Sequence, residues 1–234
     1  GFELSDGAWT LKEEIRTPAP VAYSYMRLQD EKFVLSPVQV KHNESPVMQV
    51  LVGEERNWKK LKVLRNDPSS IKVPIPREIE LISSMNKLIL APDFGKELYL
   101  FDLRTGKAES FIETPTMDGK MRWVPSLERL FIALPNRMEI WAVNPKTKEV
   151  DWVIPTQPGV RSMAIDADRN IIVSASVLTG QIWVQDLKTG KIFDQFATVM
   201  PMVRELALEE TSGQAILTTW AAVYQFPYLD KVER

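Results

Sequence analysis

The sequence predicts an all-β fold built from a repeated antiparallel unit, and three observations carry that expectation. The stretch Glu97-Leu98-Tyr99-Leu100-Phe101-Asp102-Leu103-Arg104-Thr105-Gly106-Lys107 returns almost letter for letter as Gln181-Ile182-Trp183-Val184-Gln185-Asp186-Leu187-Lys188-Thr189-Gly190-Lys191, and Asp102 stands 84 positions before Asp186. A looser copy, Glu139-Ile140-Trp141-Ala142-Val143-Asn144-Pro145-Lys146-Thr147-Lys148, lies midway, so the period is near 42. Each copy is an alternating apolar strand that runs into a polar turn, and a second strand follows at 108–113, 149–154 and 192–197. That is the pattern of a β-hairpin. Self-similarity at this period marks a repeat architecture.

Taken in order, residues 1–15 predict a strand end, a turn and then a strand over 8–15, like the 101–112 pattern without its first half. Thr17-Pro18-Ala19-Pro20 is a rigid connection. Four-strand units follow over 21–64 (strands 21–28, 32–36, 48–52, 58–64), 78–113 (78–82, 87–91, 97–102, 108–113), 121–154 (121–124, 129–134, 139–143, 149–154) and 161–197 (161–165, 170–175, 181–186, 192–197). The last unit, 204–226, has strands at 204–208, 214–219 and 222–226 and stops before a fourth. One domain spans 1–234.

Four short antiparallel strands every 40 or so residues make the blade of a β-propeller. The Asp-Leu-x-Thr-Gly-Lys hairpins resemble those of the bacterial YVTN and WD-repeat propellers, closely over 76–200 and loosely at the ends. No copy carries the full Gly-His…Trp-Asp signature. The unfinished last unit and the lone strand at 8–15 predict a ring of five blades in which that N-terminal strand completes the fifth. The alternative is a piece of a six- to eight-bladed ring. The chain opens on Gly1 rather than Met, leaving room for a leader, an anchor or further blades upstream.

Composition narrows the function. With 29 Lys and Arg against 31 Asp and Glu, the net charge of −2 provides no global basic field, and no nucleic acid partner is expected. No apolar run approaches the roughly 20 residues of a membrane-spanning helix. The absence of cysteine removes disulfides, thiolate catalysis and Cys-based zinc sites. His42 is the single histidine, so every triad, His-rich metal site or His general base would have to use it. No Gly-rich phosphate loop and no repeated Trp docking motif of the quinoprotein kind is present; no cofactor, metal or catalytic residue is expected.

Propeller geometry gathers three features on one face. Arg77, Lys120, Arg161 and Arg204 open the innermost strands of four units, where side chains point to the channel mouth. They predict a positive funnel for a carboxylate, a phosphate or an acidic partner segment. Alternatively, each pairs with a nearby acid such as Glu78, Glu205 or Asp118. The insertion 37–47 carries Lys41 and His42 as candidate contacts. Proline-rich blade connections stiffen the face. Among the Trp residues, Trp141 and Trp183 recur with the repeat and are expected between blades. Trp58, Trp152 and Trp123 lack that regularity and are the better contact candidates, Trp123 beside the cations.

These residues predict a non-catalytic interaction scaffold in a larger assembly, docking a protein partner on one rigid face. The resemblance implies the bacterial cell envelope, periplasmic or extracellular, as its setting. The alternative is a small-ligand or anion binder, or a lactonase-type hydrolase, using the channel mouth.

Overall fold

The computed structural model describes residues 2–5, 8–11, 26–29, 32–35, 49–54, 62–65, 67, 69–71, 73, 76–92, 95–115, 119–199 and 201–229, with backbone alone before 67 and at 76–77. Everything regular in them is strand, apart from two single 3-10 turns at Ser83–Met85 and Pro125–Leu127.

β1 (Phe2–Ser5) and β2 (Ala8–Leu11) form a hairpin. β3 (Met26–Gln29), β4 (Lys32–Leu35), β5 (Gln49–Glu54) and β6 (Lys62–Arg65) form the first four-stranded sheet. β7 (Pro76–Ile82), β8 (Lys87–Pro92), β9 (Glu97–Asp102) and β10 (Ala108–Glu113) form the second. The third comprises β11 (Met121–Val124), β12 (Arg129–Leu134), β13 (Glu139–Asn144) and β14 (Glu149–Pro155). The fourth comprises β15 (Val160–Asp166), β16 (Ile171–Ser176), β17 (Gln181–Asp186) and β18 (Ile192–Ala197). β19 (Glu205–Glu209), β20 (Gln214–Thr218) and β21 (Val223–Pro227) make a three-stranded fifth. Within each sheet, neighbouring strands are antiparallel and follow chain order. β2 pairs with β1, and among the described residues no strand lies on the outer edge of β21.

The core explains the sequence pattern. Middle strands such as Leu88-Ile89-Leu90-Ala91 and Leu130-Phe131-Ile132-Ala133-Leu134 are buried on both faces, and in the third sheet this is because the second and fourth sheets cover it from either side. Leu88 and Leu90 join Tyr99 and Phe101 on one face of the second sheet, while Ile89, Leu98 and Leu100 meet Met121, Trp123 and Leu130 of the third. Phe131, Ala133 and Ile140 then face Met163 and Ile172 of the fourth. Val173, Ile182 and Val184 of the fourth face Leu206, Ala215 and Tyr228 of the fifth. Outer strands alternate instead; β14 is exposed at Glu149, Asp151 and Val153.

The repeated turn has one mechanism in three copies. The Asp102 carboxylate accepts from the N–H groups of Arg104 and Thr105 at 2.8 Å each, and Asp186 accepts from Lys188 at 3.0 Å and Thr189 at 2.7 Å. Asn144 accepts from Lys146 at 2.9 Å. Four residues on, Gly106, Lys148 and Gly190 take φ of 75°, 64° and 70°. Glycine suits that left-handed geometry. The Lys148 side chain finds space and donates to the Ser110 carbonyl at 2.7 Å, whereas a Cβ on Gly190 would meet Pro155 Cδ at 2.8 Å. Gly190→Ala is therefore expected to cost about 2 kcal/mol, from left-handed strain plus the collision. Urea unfolding checks this, and a midpoint equal to wild type would refute it.

Candidate functional site

The first strands of successive sheets come together, β3 near β7, β7 near β11, β11 near β15 and β15 near β19. They bring the expected cations to one end. Lys120 directly precedes β11, Arg204 directly precedes β19, and Arg77 and Arg161 are the second residues of β7 and β15.

Lys120 is not a bare mouth cation. It is 8% exposed, and its ammonium lies 3.0 Å from Glu78 Oε1 and 2.8 Å from Glu205 Oε1. Its own backbone N–H donates to the Arg161 carbonyl at 2.8 Å, and its carbonyl accepts from Ala133 at 3.1 Å. Burial of an ammonium requires such pairing, since an unpaired charge would cost several kcal/mol. One lysine thus ties the second, third and fifth sheets. Arg122 adds a looser contact, with Nη2 at 3.8 Å from Glu205 Oε2 and Nε donating to the Met163 carbonyl at 3.4 Å. Glu80, which the sequence reading passed over, accepts from the Trp123 backbone N–H at 2.7 Å.

Trp123 is likewise not a surface contact. It is 6% exposed and packs between the second and third sheets. In β11 its side chain points away from Arg122, so alternation along the strand sends the ring into the core. Trp152, the other described tryptophan expected at the surface, packs edge-on against Phe131 at 5.9 Å and donates to the Leu187 carbonyl at 3.1 Å. Lys41, His42 and Trp58 lie outside the described residues. Arg161 is half-buried.

A different surface stands out on the same end. The β16–β17 turn carries Leu178, 70% exposed; the β18–β19 connection carries Val199, 92% exposed, and Met202; the β20–β21 turn carries Trp220, 70% exposed, with Val223 beginning β21 at 71%. Backbone hydrogen bonds join these segments, Met202 donating to Val177 at 3.0 Å and Thr198 to Gly180 at 3.0 Å. Arg204 closes the row, its guanidinium carbon 4.5 Å from the centre of the Trp220 ring. The sequence signal for this patch is an aromatic side chain in a short hairpin turn, where no strand period asks for one.

Further along the same first strands, a cavity of about 300 Å³ is lined by Arg122, Val124, Ala164, Ile165 and Leu206 among others. Among the described residues, no group of three or more His, Cys, Asp or Glu is placed to hold a metal ion. Among them also, no helix is long and apolar enough to cross a membrane.

Strand order and packing define the class: an all-β protein of blade-like four-stranded antiparallel sheets stacked face to face. The fold is similar to that of the computationally designed Ika8 protein in a crystal structure, with a TM-score of 0.59 and 13% identity over 86% of this chain and 70% of that one. No family model matches the sequence. No curated protein matches it either.

Proposed function

We propose that this chain is a non-catalytic interaction scaffold within a larger assembly, and that it docks a protein partner on the face formed by the β16–β17 turn, the β18–β19 connection and the β20–β21 turn. The observation that carries this reading is the exposed row Leu178, Val199, Met202 and Trp220 on hydrogen-bonded turns. Apolar surface held this rigidly in water marks an interaction site, and rigid turns reduce the ordering cost of binding. The competing ligand or hydrolase reading needs an accessible charge at the channel mouth. Lys120 offers little, because two carboxylates occupy it.

Architecture and setting belong to the same proposal. We take the sheets to be blades of a propeller of the YVTN/WD-repeat kind, supported by the period near 42 and the shared turn chemistry. Five-blade closure by 8–15 would lay β2 on the open edge of β21, with β1 retained on its other side. The proposed setting is the bacterial cell envelope, periplasmic or extracellular, on the resemblance and a cysteine-free sequence.

A photo-crosslinking residue at Leu178, compared with one at the exposed Lys146 in the β13–β14 turn, tests the docking face in cells of the source. A discrete protein adduct from position 178, absent from position 146, is the expected result. Equal adducts from both positions, or none from 178, would sink the reading.

A further inference from the structure

We infer that the occupant of this face is a short protein segment in which apolar side chains stand beside an acidic residue, and that Arg204 receives its carboxylate. The inference rests on the docking face proposed above and specifies its partner. Charge is the argument. Lys120 and Arg122, near the starts of neighbouring first strands, are engaged by Glu78 and Glu205. The Arg204 guanidinium is stacked on Trp220 and, among the described residues, forms no ion pair with a carboxylate. The ring covers one side of the guanidinium at 4.5 Å, and a guanidinium N–H fork suits a carboxylate, which accepts two bonds from it.

The apolar half of the site is fixed as firmly. Ser176 Oγ accepts from the N–H groups of Leu178 and Thr179 at 3.2 and 3.1 Å, and Thr219 Oγ1 accepts from Ala221 and Ala222 at 3.3 and 3.1 Å. Leu178 and Trp220 are thus presented on turns that need no ordering when a ligand arrives. Trp and Arg are among the residue types enriched where interfaces concentrate their binding energy. A lipid surface fits less well. Recognition of anionic lipid uses clusters of about 4–8 Lys or Arg, and here the one cation seen stacked in the patch is Arg204.

The probe is a displayed library of random 12-residue peptides, selected on the wild-type chain and counter-selected on Trp220→Ala. The expected consensus is two or more aliphatic or aromatic residues beside Asp or Glu. For a selected peptide, Arg204→Gln should weaken binding about thirtyfold. Changing the peptide's acid to its amide should cost the same on wild type and nothing further on Arg204→Gln. Arg204→Lys, which retains charge without the fork, should fall between; thermal melts of each variant confirm folding. Peptides that depend on Trp220 but show no acidic consensus, or that ignore Arg204→Gln, overturn the inference and leave the docking face standing. Failure to select any Trp220-dependent peptide overturns it as well. So does Trp220-dependent sedimentation with phosphatidylserine vesicles, or a Trp220-dependent dimer in solution, which would name a membrane or a second copy as occupant. The Leu178 crosslink reports on the face itself, so the two ideas fail separately.

Discussion

Asp166→Ala is expected to destabilise the fold by about 3 kcal/mol. Asp166 is fully buried at the end of β15, where its carboxylate accepts from Tyr228 Oη at 2.7 Å, from Arg169 Nη1 at 2.8 Å and from the Arg169 N–H at 3.1 Å. Tyr228, also fully buried, lies just past β21 and donates its N–H to the Gly213 carbonyl. The contact therefore clamps the fourth sheet to the fifth. Arg169 is partly exposed and regains water when the carboxylate goes. The phenol hydroxyl cannot, and a stranded buried donor costs about 1–3 kcal/mol beside the lost pair. Tyr228→Phe retains the ring and should lose about 1.5–3 kcal/mol, the range for a hydrogen bond to a charged group. The double variant should cost less than the sum, because each change removes the same bond. Urea titration measures all three, and an Asp166→Ala midpoint matching wild type would refute the clamp.

The same pair sets a pH response. Burial pushes the Asp166 carboxyl up, but hydrogen bonds from Tyr228 and Arg169 together outweigh it and hold the group below its usual 3.8. A depressed carboxyl contributes stability that is present above 3.8 and lost as pH falls through the folded value. Asp102 and Asp186 respond alike, burial again being outweighed by the turn N–H groups. Burial first, then Asp166, raises the Tyr228 phenol above 10.0, so its contribution is complete below pH 10 and fades as pH rises beyond it. Asp166→Asn should flatten part of the acid limb of stability against pH.

The strands were legible because their cause is local. In β9 and β17 the alternation, the Asp that accepts from the turn and the glycine four residues later sit within eleven positions, so the copies announce themselves. Observed bounds there match expectation, and from β7 onward the others move by a residue or two at most, as with β15 at Val160–Asp166; parts of the expected strands 8–15, 21–28 and 58–64 lie outside the described residues. The N-terminal stretch is a hairpin, Phe2 opposite Leu11, because the alternating run Phe2–Ser5 pairs with Ala8–Leu11. The site was less legible, because its causes are remote in the chain. The sequence offers Glu78 and Glu205 as acids that could pair with the cations, but it does not say that both converge on Lys120. The strand period alone does not say which Trp faces water: Trp123 fills a gap between sheets, while Trp220 stands exposed at a turn with Arg204 against its ring.

Lys120→Met is expected to cost about 3 kcal/mol at pH 7, although the residue was singled out for binding. Methionine keeps the apolar stem and removes the charge. Glu205, with its side chain 53% exposed, regains water; Glu78, at 12%, largely cannot. Removing one partner of a buried ion pair costs about 3–5 kcal/mol where the other charge is left behind, and the exposure of Glu205 together with the further interaction that Glu78 keeps places this case near the lower bound. Adding Glu78→Gln to Lys120→Met should restore most of the loss, because removing both members of a buried pair is far less costly than removing one. Such rescue identifies Lys120 as a tie among the second, third and fifth sheets. If Lys120→Met unfolds at the wild-type midpoint, the tie carries no stability, and Lys120 returns as a candidate for binding.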